Sequence, residues 1–336
     1  MTGHTATPNN PHQRPRLSLI IPIHNEADVL PALLERLGRV VESLEAQVEW
    51  LFVDDGSTDQ SVALLREASA RHSGIRVLRL SRNFGKEAAV SAGLAKALGE
   101  AAILMDADLQ DPPELIPDMI REWENGADVV LMRRRSRAGE SWLKRASARV
   151  FYRLLNRISD AAIPVDTGDF RLMNRKTIDA IRQLPERNRY MKGLFAWVGM
   201  KTVTLDFDRD PRMAGDSKWS YWKLLRFAMD GITSFSTRPL RLALVLGLLA
   251  AGVGGGFGAW EVARTLIFGI TTPGYASMIT VTTLLSGVQL ICIGVLGEYI
   301  GRIYIETKQR PVYLVADDLT PPDRTATPKL SLRNRA

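Results

Sequence analysis

The chain has 336 residues, a formal net charge of +7 and one cysteine, Cys292. That length accommodates one large α/β domain plus an appendage, and a lone cysteine excludes an internal disulfide. The charge points to anionic partners, whether nucleic acid, lipid head groups or phosphorylated substrates.

Residues 1–16 are rich in Pro, Thr, Asn, His and Gly and contain no apolar block. They read as a disordered tail and exclude a secretory signal peptide, so the following domain is expected to stay in the cytosol. Leu17–Ile23 is a short apolar run expected to form a buried strand, and Ala27–Leu44 has helical spacing. Trp50–Val53, Arg76–Leu80 and Ala101–Met105 read as further strands, with helices over Ser61–Ala70 and Glu87–Leu98 between them. Asp128–Met132 is expected to add another strand. Strands alternating with helices of this length predict a mostly parallel sheet covered on both faces.

Farther along, Trp219–Phe235 mixes Trp, Tyr, Leu and Phe with Lys223, Arg226 and Asp230. That pattern fits a helix lying in a membrane interface. Leu242–Trp260 and Thr265–Gly297 carry no charge, and a bilayer is crossed by about twenty apolar residues. Spans are therefore expected near Leu240–Ala263 and Tyr275–Ile300, broken at Thr271-Thr272-Pro273-Gly274. Cations flank the pair, Arg238 and Arg241 before it and Arg302, Lys308 and Arg310 after it. By the positive-inside rule both termini are cytoplasmic. The expected divisions are a tail over 1–16, a catalytic domain over 17–215, an interfacial helix over 216–238, a hairpin over 239–302 and a C-terminal tail over 303–336. Glycines at 252, 254, 255, 256 and 258 suit close helix packing, within the hairpin or between protomers.

In open parallel sheets, ligands bind beyond the carboxyl ends of the strands. Here those ends carry Pro22-Ile23-His24-Asn25-Glu26, Asp54-Asp55-Gly56-Ser57 and Asp106-Ala107-Asp108, with Gln110 just beyond. Asp106, Asp108 and Gln110 offer hard oxygen ligands suited to Mg²⁺ or Mn²⁺, which take a few carboxylates together with substrate phosphates. As a bare tripeptide, Asp-x-Asp before Pro112-Pro113 is more often a capping turn; the neighbouring clusters favour the metal reading. Asp55 can accept from a nucleobase N–H, while Gly56 permits a tight turn. Ser57 or Asp59 can serve there as an ordinary helix cap.

Lys86 opens a helix, where a cation opposes the dipole; a docked phosphate would offset that cost. Thr167-Gly168-Asp169-Phe170-Arg171 sets a carboxylate beside a guanidinium, either as a local ion pair or as a grip on an anionic acceptor. Arg133–Arg149 holds seven cations in seventeen residues. Such a run is usually a solvated face; beside two membrane spans it suits anionic lipid better than nucleic acid. The Arg212–Lys218 loop is a second candidate phosphate grip.

Taken together, these motifs resemble inverting glycosyltransferases of family 2, with the GT-A fold. The resemblance rests on Ile21-Pro22-x-x-Asn25-Glu26, Val53-Asp54-Asp55-Gly56-Ser57, Arg82-Asn83-Phe84-Gly85-Lys86 and Asp106-Ala107-Asp108-Leu109-Gln110. Gly168–Met173, Met191-Lys192-Gly193, Gly297–Arg302 and Ile305–Lys308 are similar to the polyprenyl-phosphate branch, closest to bactoprenol glucosyltransferases of the O-antigen-modification type.

The resemblance implies nucleotide-sugar contacts at Pro22, His24, Asn25, Glu26, Asp55, Lys86, Asp106 and Asp108. It implies an acceptor-phosphate group of Arg134, Arg171, Arg212 and Lys218, with Asp169, Arg171 and Asp108 as catalytic residues. The family often has Tyr where His24 stands. The implied reaction moves a hexose, glucose first, from a UDP-sugar to undecaprenyl phosphate for cell-surface glycan modification. Galactose, N-acetylglucosamine, aminoarabinose-type and GDP-mannose donors stay open, as does a non-catalytic scaffold. A tetramer in the inner membrane is the family precedent. No Gln-x-x-Arg-Trp motif of a processive synthase occurs.

Overall fold

The computed structural model describes residues 15–44, 46–135, 167–208, 238–269 and 274–319. Most of the expected N-terminal tail, the basic stretch beyond Arg135, the Arg212–Lys218 loop and the expected interfacial helix lie outside those residues.

Strand β1 (Leu17–Ile23) pairs in parallel with β2 (Val48–Asp54), in register from Leu17↔Val48 to Ile23↔Asp54. On one side β2 pairs with β3 (Ile75–Leu80), and on the other β1 pairs with β4 (Ala101–Leu104), both parallel. Helices α1 (Leu30–Glu42), α2 (Ser61–Arg71) and α3 (Lys86–Lys96) make the crossovers. Their lengths suit βαβ units, in which a covering helix returns the chain to the same end of the sheet.

Beyond β4 the chain runs through a 3-10 turn (Pro113–Leu115), α4 (Ile116–Glu124) and β5 (Val129–Arg134). Strand β6 (Thr167–Asn174) then enters antiparallel between β4 and β5. It is followed by α5 (Arg175–Gln183), α6 (Met191–Trp197) and β7 (Thr202–Phe207), the last pairing in parallel with β5. The sheet order is β7-β5-β6-β4-β1-β2-β3-β8. The final strand, β8 (Val315–Asp318), is antiparallel to β3 and lies within the stretch assigned from sequence to a C-terminal tail.

Alternation along the central strands feeds two apolar layers. Leu19, Ile21 and Phe52 pack beneath α1 and α2, and Ile20, Leu51 and Val53 pack against α3 on the other face. Both sets are essentially solvent-free, as a sheet covered on both faces requires. Helix α3 lies so close to the sheet that a Cβ on Gly93 would sit 2.3 Å from Ile20 Cγ2.

Two long helices stand between β7 and β8 in the chain, α7 (Arg238–Phe268) and α8 (Tyr275–Thr307). Their apolar stretches, Leu240–Phe268 and Val281–Thr307, are 29 and 27 residues long and none of their most apolar windows is buried in protein. At 1.5 Å per residue each exceeds the ~30 Å hydrocarbon layer, so the pair associates with a membrane. Within the pair, a Cβ on Gly254 would meet Leu285 Cδ1 at 3.2 Å, whereas Gly252, Gly255, Gly256 and Gly258 have open space around them. Packing inside the hairpin therefore uses Gly254.

Candidate active site

The carboxyl ends of β1, β2, β3 and β4 converge on a cavity of about 300 Å³. Its lining includes Pro22, His24, Glu26, Asp55, Lys86, Asp106 and Asp108. Seven of the eight expected nucleotide-sugar residues are thus brought together. Asn25 is used otherwise. It stands at φ 55°, its backbone N–H donates to Ser57 Oγ at 2.9 Å, and its side-chain oxygen accepts from Thr58 N at 2.8 Å.

The loops around the cavity hold one another by specific polar contacts. Asp55 accepts the N–H groups of Phe84 and Gly85 at 2.7 and 2.8 Å, so the end of β2 shapes the turn into α3. His24 reaches the Asp55 carbonyl through Nδ1 at 3.0 Å and Asn83 Nδ2 through Nε2 at 2.9 Å. Gly56 makes that closeness possible. Its φ is +68°, and a Cβ there would lie 2.5 Å from the carbonyl carbon of Arg82. Only glycine combines that backbone conformation with so close an approach. The N-cap of α2 is Gln60, not Ser57 or Asp59; Asp59 stands one residue earlier and accepts from Ser61 N at 3.0 Å and Ala27 N at 3.1 Å.

Asp106 and Asp108 follow β4 directly. The backbone just after Asp108 is bent sharply, with Leu109 at φ 58°, and the Gln110 N–H donates to Asp108 Oδ1 at 3.2 Å. Gln110 is not among the lining residues. Buried Asp111 accepts the Asp106 N–H at 3.1 Å. Burial, then the Asp106 charge, pushes the Asp111 carboxyl up to about 7. Among the described residues no three His, Cys, Asp or Glu side chains form a metal cage. The donor set still fits Mg²⁺ or Mn²⁺, since two cavity-lining carboxylates leave the remaining positions to waters and substrate phosphates.

Lys86 joins the cavity to a second charged cluster. Its Nζ lies 2.5 Å from Asp106 Oδ1 and 2.5 Å from Asp169 Oδ2 on β6. Burial alone would pull the ammonium down, but the two carboxylates outweigh it and hold it above its usual range. These same carboxylates offset the cost of a cation at a helix start. Asp169 is the mirror case: burial would raise it, and Lys86, Lys192 and Arg171 hold it well below the usual carboxylate range.

Arg171 is buried, with Nη2 donating to the Gly168 carbonyl at 2.9 Å and Nε to the Asp169 carbonyl at 3.3 Å. Its guanidinium lies 4.0 Å from the Phe195 ring centroid. Burial lowers it to about 10, against the opposing pull of Asp169 and Glu87. Arg134 approaches the same turn: its Nη2 would lie 3.2 Å from a Cβ on Gly168, and its buried Nε has no hydrogen-bond partner among the described residues. The other two expected phosphate residues, Arg212 and Lys218, fall outside the described residues.

Glu87, Asp111 and Lys192 belong to this site without having been expected there. Burial, followed by the charge on Asp169, raises the Glu87 carboxyl to about 7. Glu87 follows the Gly85-Lys86 turn and Asp111 follows Asp106-Ala107-Asp108, so proximity to those motifs was the available signal. Lys192 stands in the Met191-Lys192-Gly193 motif noted for the resemblance, with no role given to it there, and α6 supplies its proximity to the site.

The comparisons with known proteins agree with this geometry. Residues 18–182 match the glycosyl transferase family 2 model, and residues 238–303 match the GtrB C-terminal hairpin. A Synechocystis sp. protein named as an uncharacterized glycosyltransferase is 48% identical, over 90% of this chain and 95% of its own. The prophage bactoprenol glucosyl transferase homolog of Escherichia coli K12 is 45% identical, over 89% of this chain and 98% of its own. The bactoprenol glucosyl transferase of Shigella phage SfV is also 45% identical, over 90% and 99%. With a carboxylate-lined cavity at the strand ends and two apolar helices behind it, the chain belongs to the family 2 glycosyltransferases that carry the GtrB-type C-terminal hairpin.

Proposed function

We propose that the chain transfers glucose from UDP-glucose to a polyprenyl phosphate, with inversion at the anomeric carbon, at the cytoplasmic face of the inner membrane. The observation that carries this reading is the Lys86 bridge. It puts the donor cavity, with Asp55, Asp106 and Asp108, next to a buried Asp169–Arg171 pair suited to an anionic acceptor. Names of relatives at 45% identity support both the sugar and the lipid carrier.

In this reading Pro22, His24, Glu26 and Asp55 seat the nucleoside. Asp106 and Asp108 would hold Mg²⁺ or Mn²⁺, which when bound would neutralise the charge developing on the departing diphosphate. Arg171 and Arg134, with Arg212 and Lys218, would hold the acceptor phosphate. That oxygen is already anionic, so the displacement requires no strong base. Asp169, held ionised by three cations, orients Lys86 and Arg171 and does not collect a proton.

The test is to incubate membranes containing the full chain with undecaprenyl phosphate, Mn²⁺ and a panel of nucleotide-sugars, then identify the lipid product. Glucosyl-phosphoryl-undecaprenol formed from UDP-glucose in preference to the others is expected. A different sugar on the lipid would correct the donor, and no lipid product with any donor would overturn the reading.

A further inference from the structure

The last turn of α8 does not end in solvent. The carboxylate of Glu306 accepts the Arg187 N–H at 2.9 and 3.1 Å and the Asn188 N–H at 3.1 Å. Just beyond the helix, the Arg310 carbonyl accepts from Arg187 Nη1 at 2.8 Å. The gripped loop also closes on itself, with Arg189 Nη2 donating to the Leu184 carbonyl at 2.8 Å. A carboxylate on successive backbone N–H groups makes charge-assisted bonds, the stronger class of hydrogen bond.

That loop leads directly into α6, and α6 touches the site at three points. The Met191 N–H donates to Glu87 Oε2 at 3.3 Å. Lys192 Nζ donates to the Thr167 carbonyl at 3.3 Å and helps to hold Asp169 ionised. Phe195 lays its ring against the Arg171 guanidinium. A two-turn helix is too short to absorb a displacement along its length, so a shift at its first residue is passed on to Phe195.

We propose that Glu306 is a positioning residue: it ties the second membrane helix to α6 and so sets where Arg171 stands relative to the membrane. This rests on the reading above, in which Arg171 grips the phosphate of a lipid acceptor. The headgroup of such an acceptor is held at a depth fixed by the bilayer, so the protein must fix its own grip against the same reference. Misplacement of about 1 Å costs on the order of 10²-fold in a displacement reaction. A residue some way from the reacting atoms therefore controls acceptor use while leaving the donor cavity alone.

The experiment uses the full chain in lipid nanodiscs, as wild type, Glu306→Ala and Glu306→Gln. Hydrogen exchange without substrate is the first measurement. Glu306→Ala is expected to accelerate exchange at residues 187–188 and through 191–197, with β1 and β2 unchanged. Acceleration confined to 187–188, or none, would overturn the tie.

Steady-state kinetics is the second measurement. In Glu306→Ala the kcat/KM for polyprenyl phosphate should fall about tenfold with the KM for UDP-glucose unchanged. Glu306→Gln, which keeps one acceptor oxygen, should recover part of the loss, and it serves alone if the alanine variant does not fold. Unchanged acceptor kcat/KM, or a donor KM rising in proportion, would remove the positioning role. If the wild type glucosylates no lipid phosphate, the functional reading falls, while the exchange result still decides the tie.

Discussion

Lys86 Nζ lies 2.5 Å from Asp169 Oδ2, although one opens α3 and the other sits on an antiparallel strand entering the sheet much later in the chain. In the proposed reading, donor and acceptor sides thus share one ammonium. Lys86→Met is expected to lower transfer about 10²–10³-fold, by leaving Asp106 and Asp169 without their common counter-charge. Lys86→Arg should not restore it, because a planar fork does not replace a compact point charge between two carboxylates. Single-turnover transfer to polyprenyl phosphate measures both.

Asp108→Ala should abolish transfer, and nucleotide-sugar binding to that variant should no longer respond to Mn²⁺. Titration calorimetry with UDP-glucose, with and without EDTA, is the check. Full activity of the variant in EDTA would remove the metal from the scheme.

Glu87 provides a pH dependence whose sign is fixed by its raised value of about 7, against 4.5 in an exposed chain. The folded protein binds the extra proton, so this group's contribution is fully present below about pH 4.5 and is lost as pH rises through about 7. Glu87→Gln lacks that loss. The stability difference between Glu87→Gln and wild type should grow in favour of the variant from pH 5.5 to 8.5, by up to roughly 2 kcal/mol. Thermal unfolding of both proteins across that range measures it.

Below the sheet, buried Glu49 accepts from Ser18 Oγ, from the Leu98 N–H at 2.9 Å and from Arg76. Glu49→Ala strands the Leu98 amide and takes away the nearer partner of Arg76, which keeps Asp318 at 3.9 Å and the Lys96 carbonyl at 3.3 Å, a change that costs about 1–3 kcal/mol. The site lies at the opposite ends of the strands, so donor affinity of the surviving folded protein should be unchanged.

Gly56→Ala should be more damaging than its size suggests. A methyl group within 2.5 Å of the Arg82 backbone has to displace the Ser81–Gly85 turn, and the φ of +68° adds strain of about 1–2 kcal/mol. UDP-glucose affinity should fall with stability, as the same turn carries the N–H groups that Asp55 holds.

The parallel core was legible because each strand is a short apolar run between helical periods. Leu17–Ile23 forms a strand with the bounds expected of it, and Ser61–Arg71 extends its expected helix by one residue. Strand β6 was harder: Asp169 and Arg171 interrupt its apolar run, and only the fold shows that it inserts between β4 and β5. Val315–Asp318 is shorter still and half acidic, with no pattern of its own; its pairing with β3 comes from tertiary context. Site residues on strand ends were visible as polar clusters after apolar runs. Glu87 and Lys192 were not, because their environment is made by Asp169 and Arg171, which arrive from a distant part of the chain.

Strand β8 gives the membrane hairpin an unusual place in the chain. Catalytic sheet residues stand both before it, at β7, and after it, at β8, and those two strands occupy opposite edges of the sheet. The hairpin is therefore an insertion into the catalytic domain. A water-soluble fragment cut before Arg238 would lose β8 and leave the outer edge of β3 unpaired, a template for edge-to-edge aggregation. Removing the hairpin while rejoining the chain to Val312–Leu319 keeps that edge covered, and should give a soluble domain that has lost the Glu306 tie.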